Sequence, residues 1–228
     1  MKHWLKRFHH PLRTVSIEPT NHCNLHCSFC TSKRSKGYMT IELYKKIINQ
    51  LHPRISLALS FGGESGLHPD FEWMVRYASK KQFRNLSLYT NGYTLNKFYK
   101  VLEECNVKTF LNPRISHKKI EHKDLVTNIH LEPTFPLITE DFNFVDLHGW
   151  KPNQTFSFCH FLFSYIAILW NGKVTICCRD LNGHKIIGDV NEQQIKDIWN
   201  NARYQELRKI GHCRDCHVWN HSFVHVEK

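Results

Sequence analysis

Between residues 14 and 111 the apolar positions switch repeatedly between two periods. Short apolar runs at 14–18, 55–61, 86–89 and 107–111 read as strands. Between them apolar residues recur every third or fourth position, as on one face of a helix. Ile41, Leu43, Tyr44, Ile47, Ile48 and Leu51 make such a face, with Thr40 placed as the N-cap. The segments 70–80 and 95–104 repeat that pattern, and a fifth strand is expected at 129–131, before Glu132-Pro133. Pro19 ends the first strand, Gly62-Gly63 stops the second and Asn91-Gly92 closes the third. Residues 113–123 are basic and weakly patterned, and they carry no assignment.

Strands alternating with helices argue for a parallel sheet whose crossovers curl it towards a barrel. A closed eight-unit barrel takes about 250 residues, whereas only about 130 precede Pro136 here. A partial (β/α) TIM-like barrel is therefore expected over 12–145, in the α/β class, with functional loops at the carboxyl ends of its strands. A small cysteine-rich domain is expected over 150–228. It would hold a β-hairpin, 165–170 and 173–178 around Asn171-Gly172, and one helix over 195–210.

Composition narrows the class. The 228 residues are 41% hydrophobic and 22% charged, enough for a core. No apolar run approaches the roughly 20 residues that span a bilayer. The basic start Met1-Lys2-His3-Trp4-Leu5-Lys6-Arg7 is followed by no apolar core of signal-peptide length, so a cytoplasmic location is expected. In a reducing compartment nine cysteines are poor disulfide partners and better metal ligands. A net charge of +11 suits an acidic partner, and it leaves an electron-carrier protein, a nucleic acid, a phosphorylated substrate or plain solubility open.

Cys23, Cys27 and Cys30 stand in a C-x3-C-x2-C loop straight after the first strand. Most four-iron clusters take four thiolates, so three leave one iron open to a small chelating molecule. A zinc knuckle of the same cysteines with His22 or His26 uses the same spacing. Phe61-Gly62-Gly63-Glu64 ends the next strand and belongs on the same rim. Paired glycines allow close approach to backbone, and a carboxylate there can pair with an ammonium group.

The run Glu18-Pro19-Thr20-Asn21-His22-Cys23-Asn24-Leu25-His26-Cys27-Ser28-Phe29-Cys30, with Gly62-Gly63-Glu64 downstream, resembles the radical S-adenosylmethionine (SAM) superfamily. The resemblance implies that Cys23, Cys27 and Cys30 hold a 4Fe-4S cluster whose open iron SAM chelates. Gly62, Gly63 and Glu64 would hold the methionine ammonium, and Phe29 would lie by the adenine. Thr90 and Asn91, within Tyr89-Thr90-Asn91-Gly92, would reach SAM or substrate. Such enzymes cleave SAM reductively to a 5′-deoxyadenosyl radical that abstracts a substrate hydrogen. Glu64 is followed by Ser65, where many relatives have proline.

Cys159, Cys177, Cys213 and Cys216 supply four more thiolates, enough to saturate a cluster. A structural zinc site of four cysteines is the alternative. Cys177 and Cys178 are neighbours on the expected strand 173–178, so they point to opposite faces and cannot easily both face one cluster. The stretch Gly172 to Cys178, with Ile187-Gly188-Asp189-Val190, Ile198-Trp199-Asn200 and the final C-x2-C, is similar to SPASM and Twitch extensions of radical SAM enzymes. The cysteines are too few for a second auxiliary cluster, so the one-cluster Twitch form is implied, with Cys177 as the ligand of the pair.

Other residues have plainer readings. Cys105 is expected as a small core residue, Cys178 as a spare thiol, and His212 and His217 as flanking side chains able to replace a ligand. The tryptophans of the last third are expected to pack that domain. Lys33-Arg34-Ser35-Lys36 and His117-Lys118-Lys119 are expected to be solvated.

Two functions follow. The first is a radical SAM oxidoreductase or modifying enzyme, acting on a small sugar-like alcohol or a peptide and fed by an acidic donor such as flavodoxin or ferredoxin. With 22 residues before Cys23, no leader-peptide-binding domain is expected there. The second is a zinc-stabilised, basic nucleic-acid-binding protein without catalysis. Nothing in the pattern assigns a catalytic acid or base.

Overall fold

The computed structural model describes residues 11–27, 30, 32–111, 126–129, 159–178 and 180–210. In chain order its elements are β1 (Thr14–Ile17), α1 (Ile41–Gln50), β2 (Ser56–Leu59), α2 (Phe71–Ser79), β3 (Asn85–Thr90), α3 (Leu95–Glu104), β4 (Lys108–Leu111) and β5 (Val126–Ile129). Then come β6 (Tyr165–Ile168), β7 (Lys173–Thr175), β8 (Ile186–Asp189), α4 (Ile195–Asn200) and α5 (Ala202–Ile210). The strands form one sheet in the order β5-β4-β3-β2-β1-β6-β7-β8. From β1 to β5 every pairing is parallel, and α1, α2 and α3 are the crossovers that join β1 to β4. β6 adds in parallel to the other side of β1, and β7 and β8 follow antiparallel. The expected hairpin is thus continuous with the main sheet.

Neighbours along a strand face opposite sides, which gives the sheet two chemistries. Val15, Ile17, Leu57, Leu59, Leu86, Leu88 and Ile166 are buried with the apolar stripes of the helices. α1 contributes Leu43, Tyr44, Ile47 and Ile48, and α3 contributes Leu95, Phe98, Val101 and Leu102. The Tyr44 hydroxyl donates to the Met74 carbonyl at 2.9 Å, which satisfies a buried phenol and fixes α1 on α2. Thr40 caps α1 as expected, its Oγ1 accepting from Leu43 N at 3.2 Å. The alternate positions Ser16, Ser56, Ser60, Ser87, Tyr89 and Tyr165 share the opposite face of the sheet.

Three elements differ from the sequence expectation. The second hairpin strand ends at Thr175, where Thr175 Oγ1 donates to Asp180 Oδ2 at 2.6 Å across the turn that follows, so Cys177 and Cys178 lie beyond the strand. The fifth strand lies at Val126–Ile129 and shares only Ile129 with the expected segment, since pairing with β4 sets its register. The helix expected over 195–210 is two, broken at Asn201. Asn201 has ψ 159°. Its Oδ1 accepts from Tyr204 N at 2.8 Å and its Nδ2 donates to Ile187 O at 2.8 Å. It therefore caps α5 while tying the break to β8. Cys105 caps the end of α3, half-buried against the core. No helix among the described residues is long and apolar enough to cross a membrane.

Candidate active site

The loops after β1, β2 and β3 meet at the carboxyl rim of the sheet. The cysteine loop is closed at its base by Thr20 and Asn21. Thr20 Oγ1 donates to Gly37 O at 2.7 Å, while Asn21 receives Gly37 N at 2.9 Å and donates to Ser35 O at 2.8 Å. His22 stacks on Tyr38 with 4.4 Å between ring centres. Residues 35–38 thus return to the start of the loop at Thr20 and Asn21.

Glu18, one step beyond β1 on the face of Ser16, is fully buried. Its Oε1 accepts from Arg34 Nη2 at 2.5 Å and Gly62 N at 3.0 Å, and its Oε2 from Trp170 N at 3.1 Å. Arg34 Nε also donates to Leu181 O. The run Lys33-Arg34-Ser35-Lys36 is therefore not simply solvated: Arg34 is a partner of a buried carboxylate, and Lys36 donates to Asn21 O at 2.8 Å. A charge run in sequence cannot disclose a buried counter-ion 16 positions away. The usable signal was Glu18 itself, an acidic residue at an inward strand position.

The glycines answer to protein crowding as much as to a ligand. A Cβ on Gly63 would fall 2.6 Å from Asn21 Cα, His22 O and Thr20 O. One on Gly62 would fall 2.5 Å from Glu18 Oε1. Only glycine lets the end of β2 lie against the cysteine loop so closely.

Glu64 is 2% exposed, and its carboxylate gathers the loop after β3. Thr90 Oγ1 donates to Oε1 at 2.6 Å, Thr94 Oγ1 to Oε1 at 3.1 Å and Asn91 N to Oε2 at 2.8 Å. Burial pushes the Glu64 carboxyl above its ordinary value, and these donors oppose that shift. Asn91 Nδ2 reaches Asn24 Oδ1 at 2.9 Å and Cys23 Sγ at 3.9 Å. Glu64 and Asn91 thus link all three loops.

Together these loops enclose a cavity of about 430 Å³. Cys23, Cys27, Cys30, Gly62, Gly63, Glu64, Thr90 and Asn91 all line it, as do His26, Ser32, Lys36 and Tyr89. Phe29 lies outside the described residues. The Cys27 thiol is pushed up by burial, and nearby Cys23 and Cys30 add to the rise. Three thiols facing one space beside a carboxylate fit an iron–sulfur cluster that leaves an iron open for an amino acid moiety. Among the described residues no three His, Cys, Asp or Glu side chains converge on a single ion.

At the other end of the sheet, Cys159 and Cys177 share a neighbour. Burial is the main cause that raises the Tyr204 hydroxyl, and both thiols add to it. Cys178 bears on Tyr165, whose buried hydroxyl is raised first by desolvation, and Cys177 acts there too, more weakly than Cys178. A pair of thiols about one tyrosine suits the four-thiolate cluster, for which the other two candidates, Cys213 and Cys216, lie outside the described residues.

Comparison with known proteins agrees with this geometry. Residues 17–116 match the model of the radical SAM superfamily, and 159–217 match that of SPASM, an iron–sulfur cluster-binding domain. The S-adenosyl-L-methionine-dependent 2-deoxy-scyllo-inosamine dehydrogenase of Niallia circulans is 26% identical over 89% of this chain and 91% of its own. The GTP 3′,8-cyclase of Aquifex aeolicus is 30% identical, but the match spans 51% of this chain and 41% of the cyclase. In fold, the chain resembles BtrN crystallised with AdoMet and 2-DOIA, with a TM-score of 0.68 and 22% identity over 88% of this chain and 87% of BtrN. It also resembles anSMEcpe with bound AdoMet, with a TM-score of 0.60 and 17% identity over 92% of this chain and 87% of the other. The chain belongs to the radical SAM superfamily, as an α/β partial-barrel enzyme with a SPASM-type domain that uses SAM with a catalytic and an auxiliary 4Fe-4S cluster.

Proposed function

We propose that this chain is a dehydrogenase that oxidises an alcohol on a small hydroxylated molecule. The observation that carries this reading is the end-to-end match to the N. circulans dehydrogenase, 91% of that protein against 41% of the A. aeolicus cyclase. The polar face of the sheet supports it. Ser16, Ser60 and Ser87 place hydroxyls on that face, Ser16 and Ser60 buried within it, and the exposed Tyr89 stacks on Phe110 at 4.7 Å as an aromatic wall. Such a surface suits a compact polyol, which needs many hydrogen-bond partners and one apolar side.

In this reading Cys23, Cys27 and Cys30 hold the catalytic cluster, and Cys159, Cys177, Cys213 and Cys216 hold the auxiliary one. Phe29, Gly62, Gly63, Glu64, Thr90 and Asn91 form the SAM site, where the Glu64 charge meets the methionine ammonium. Bound there, SAM and the clusters supply a hydrogen-abstracting 5′-deoxyadenosyl radical and an acceptor for one electron, so that losing one hydrogen atom, one proton and one electron turns the alcohol into a carbonyl. The net charge of +11 supports an acidic electron donor of the flavodoxin or ferredoxin type.

Incubation with dithionite, SAM and a panel of carbon-deuterated cyclitols, aminocyclitols and sugars tests the reading. Deuterium in 5′-deoxyadenosine and a product two hydrogens lighter are expected. Deuterium uptake from peptides alone would overturn the small-alcohol assignment.

A further inference from the structure

Arg208 on α5 is a cation in the C-terminal part of the core that no carboxylate among the described residues meets. Its guanidinium lies 3.9 Å from the ring centres of both Trp199 and Tyr204. Nε donates to Leu162 O and Nη1 to Trp199 O, each at 2.9 Å. The third nitrogen, Nη2, is buried and has no hydrogen-bond partner among the described residues. Burial lowers the pKa, but an arginine remains charged at any ordinary pH.

A half-buried charge without a counter-charge is costly, so the arrangement calls for negative charge close by. Two observations locate it. Leu162, whose carbonyl Arg208 holds, donates its own N–H to Cys159 O at 3.1 Å, so Arg208 is anchored on the turn that begins at Cys159. The guanidinium also covers Tyr204, whose hydroxyl donates at 2.9 Å to the carbonyl of Tyr165, the first residue of β6 after that same turn.

We propose that Arg208 is the counter-charge of the auxiliary cluster and raises its reduction potential. The inference rests on the assignment of Cys159 and Cys177 to that cluster. Four thiolates leave such a cluster negative in either state, and reduction adds one more negative charge. A fixed cation in a poorly solvated position stabilises the reduced form more than the oxidised one. In the proposed dehydrogenation, the substrate radical loses one electron and one proton to become a carbonyl. Arg208 favours transfer of that electron to the cluster.

The test uses the full chain with Cys23, Cys27 and Cys30 changed to alanine, so that only the auxiliary cluster titrates. Its potential is followed by electron paramagnetic resonance (EPR) in dye-mediated titrations. Arg208→Gln keeps donors without the charge, whereas Arg208→Lys keeps the charge but cannot hold both carbonyls. With glutamine the reduced-to-oxidised ratio should fall about tenfold at a fixed potential, about 59 mV for a one-electron couple. With lysine it should stay within about threefold of the parent. Loss of the cluster in the glutamine variant alone would also support the counter-charge. Equal potentials in all three, a shift in lysine alone, or loss of the cluster in both variants would reduce Arg208 to a structural tie and overturn the proposal. A parent chain that assembles no cluster would overturn the cluster assignment itself, and iron analysis reveals that before any potential is measured.

Discussion

Glu18 and Arg34 form a buried ion pair, 2.5 Å between Oε1 and Nη2, where β1 gives way to the cysteine loop. The remaining lone pairs of Glu18 take Gly62 N and Trp170 N, so one carboxylate joins the first strand, the glycine rim and the β6–β7 turn. Gly37 lies against the Trp170 ring, where a Cβ would run into the indole carbons. Glu18→Gln leaves Arg34 in place without its counter-charge. We expect a loss of about 3 kcal/mol, or roughly 10 °C in Tm for a chain of this size. Urea denaturation of the apo-protein checks this, and a change under about 0.5 kcal/mol would make the pair incidental.

His68 predicts a pH dependence. Its Nε2 faces Met39 O at 2.9 Å and its Nδ1 accepts from Asp70 N at 3.0 Å, which fixes a neutral ring protonated at Nε2. Burial lowers its pKa, an effect that the Met39 carbonyl and the Asp70 charge partly offset. The folded pKa therefore lies below the unfolded one of about 6.5. Its contribution is complete above that unfolded value and is lost as pH falls through the lowered one. The urea midpoint should drop more steeply as pH falls below about 6.5 in the parent than in His68→Asn. Parallel curves would remove His68 from the acid sensitivity of the fold.

Much of this was legible in sequence, for reasons particular residues make clear. Helix 95–104 was read to the residue because Leu95, Phe98, Val101 and Leu102 form an unbroken stripe. The cysteine loop and Gly62-Gly63-Glu64 were legible because strand alternation puts both at one rim, and the cavity contains both. Long-range pairing was not. Nothing local says that β6 lies beside β1, or that Arg34 meets Glu18. Asn201 reads as an ordinary helical residue until its side chain is seen capping α5 and bonding Ile187.

Glu64 carries a sharper test of the SAM site. Its carboxylate collects Thr90, Thr94 and Asn91, so a substitution can act on the wall as well as on the ligand. Glu64→Gln keeps the shape and an acceptor oxygen while removing the charge. Losing a charge-assisted hydrogen bond of about 1.5–3 kcal/mol should weaken SAM binding roughly 10- to 100-fold, with both clusters still assembled. Unchanged affinity in an anaerobic titration would leave Glu64 as a tie between loops and nothing more.

The adjacent thiols Cys177 and Cys178 should separate cleanly. Cys177 acts on Tyr204 together with Cys159 and acts on Tyr165 more weakly than Cys178 does, and Cys178 is not among the charges that act on Tyr204. Cys177→Ser should lower iron content from about eight per chain to about four, and Cys178→Ser should leave it at about eight. The reverse result would exchange the two assignments.

The two cysteine groups should also divide the chemistry. Cleaving SAM needs an iron open to it, which three thiolates, if Cys23, Cys27 and Cys30 supply them, would leave and four thiolates elsewhere would not. Changing Cys213 and Cys216 to alanine should therefore abolish substrate oxidation while sparing slow, substrate-independent release of 5′-deoxyadenosine. In that assignment the cluster would crosslink Cys213 and Cys216 to Cys159 and Cys177, so some stability would go with it, and circular dichroism on the same sample separates misfolding from lost chemistry. Full turnover in this folded variant would make the second site dispensable. If instead the variant folds, keeps its first cluster and no longer cleaves SAM, the two groups are not independent sites. The tie that Glu18 makes between Gly62 and Trp170 is then the first path to examine, because it joins the SAM rim to the hairpin that leads to Cys177.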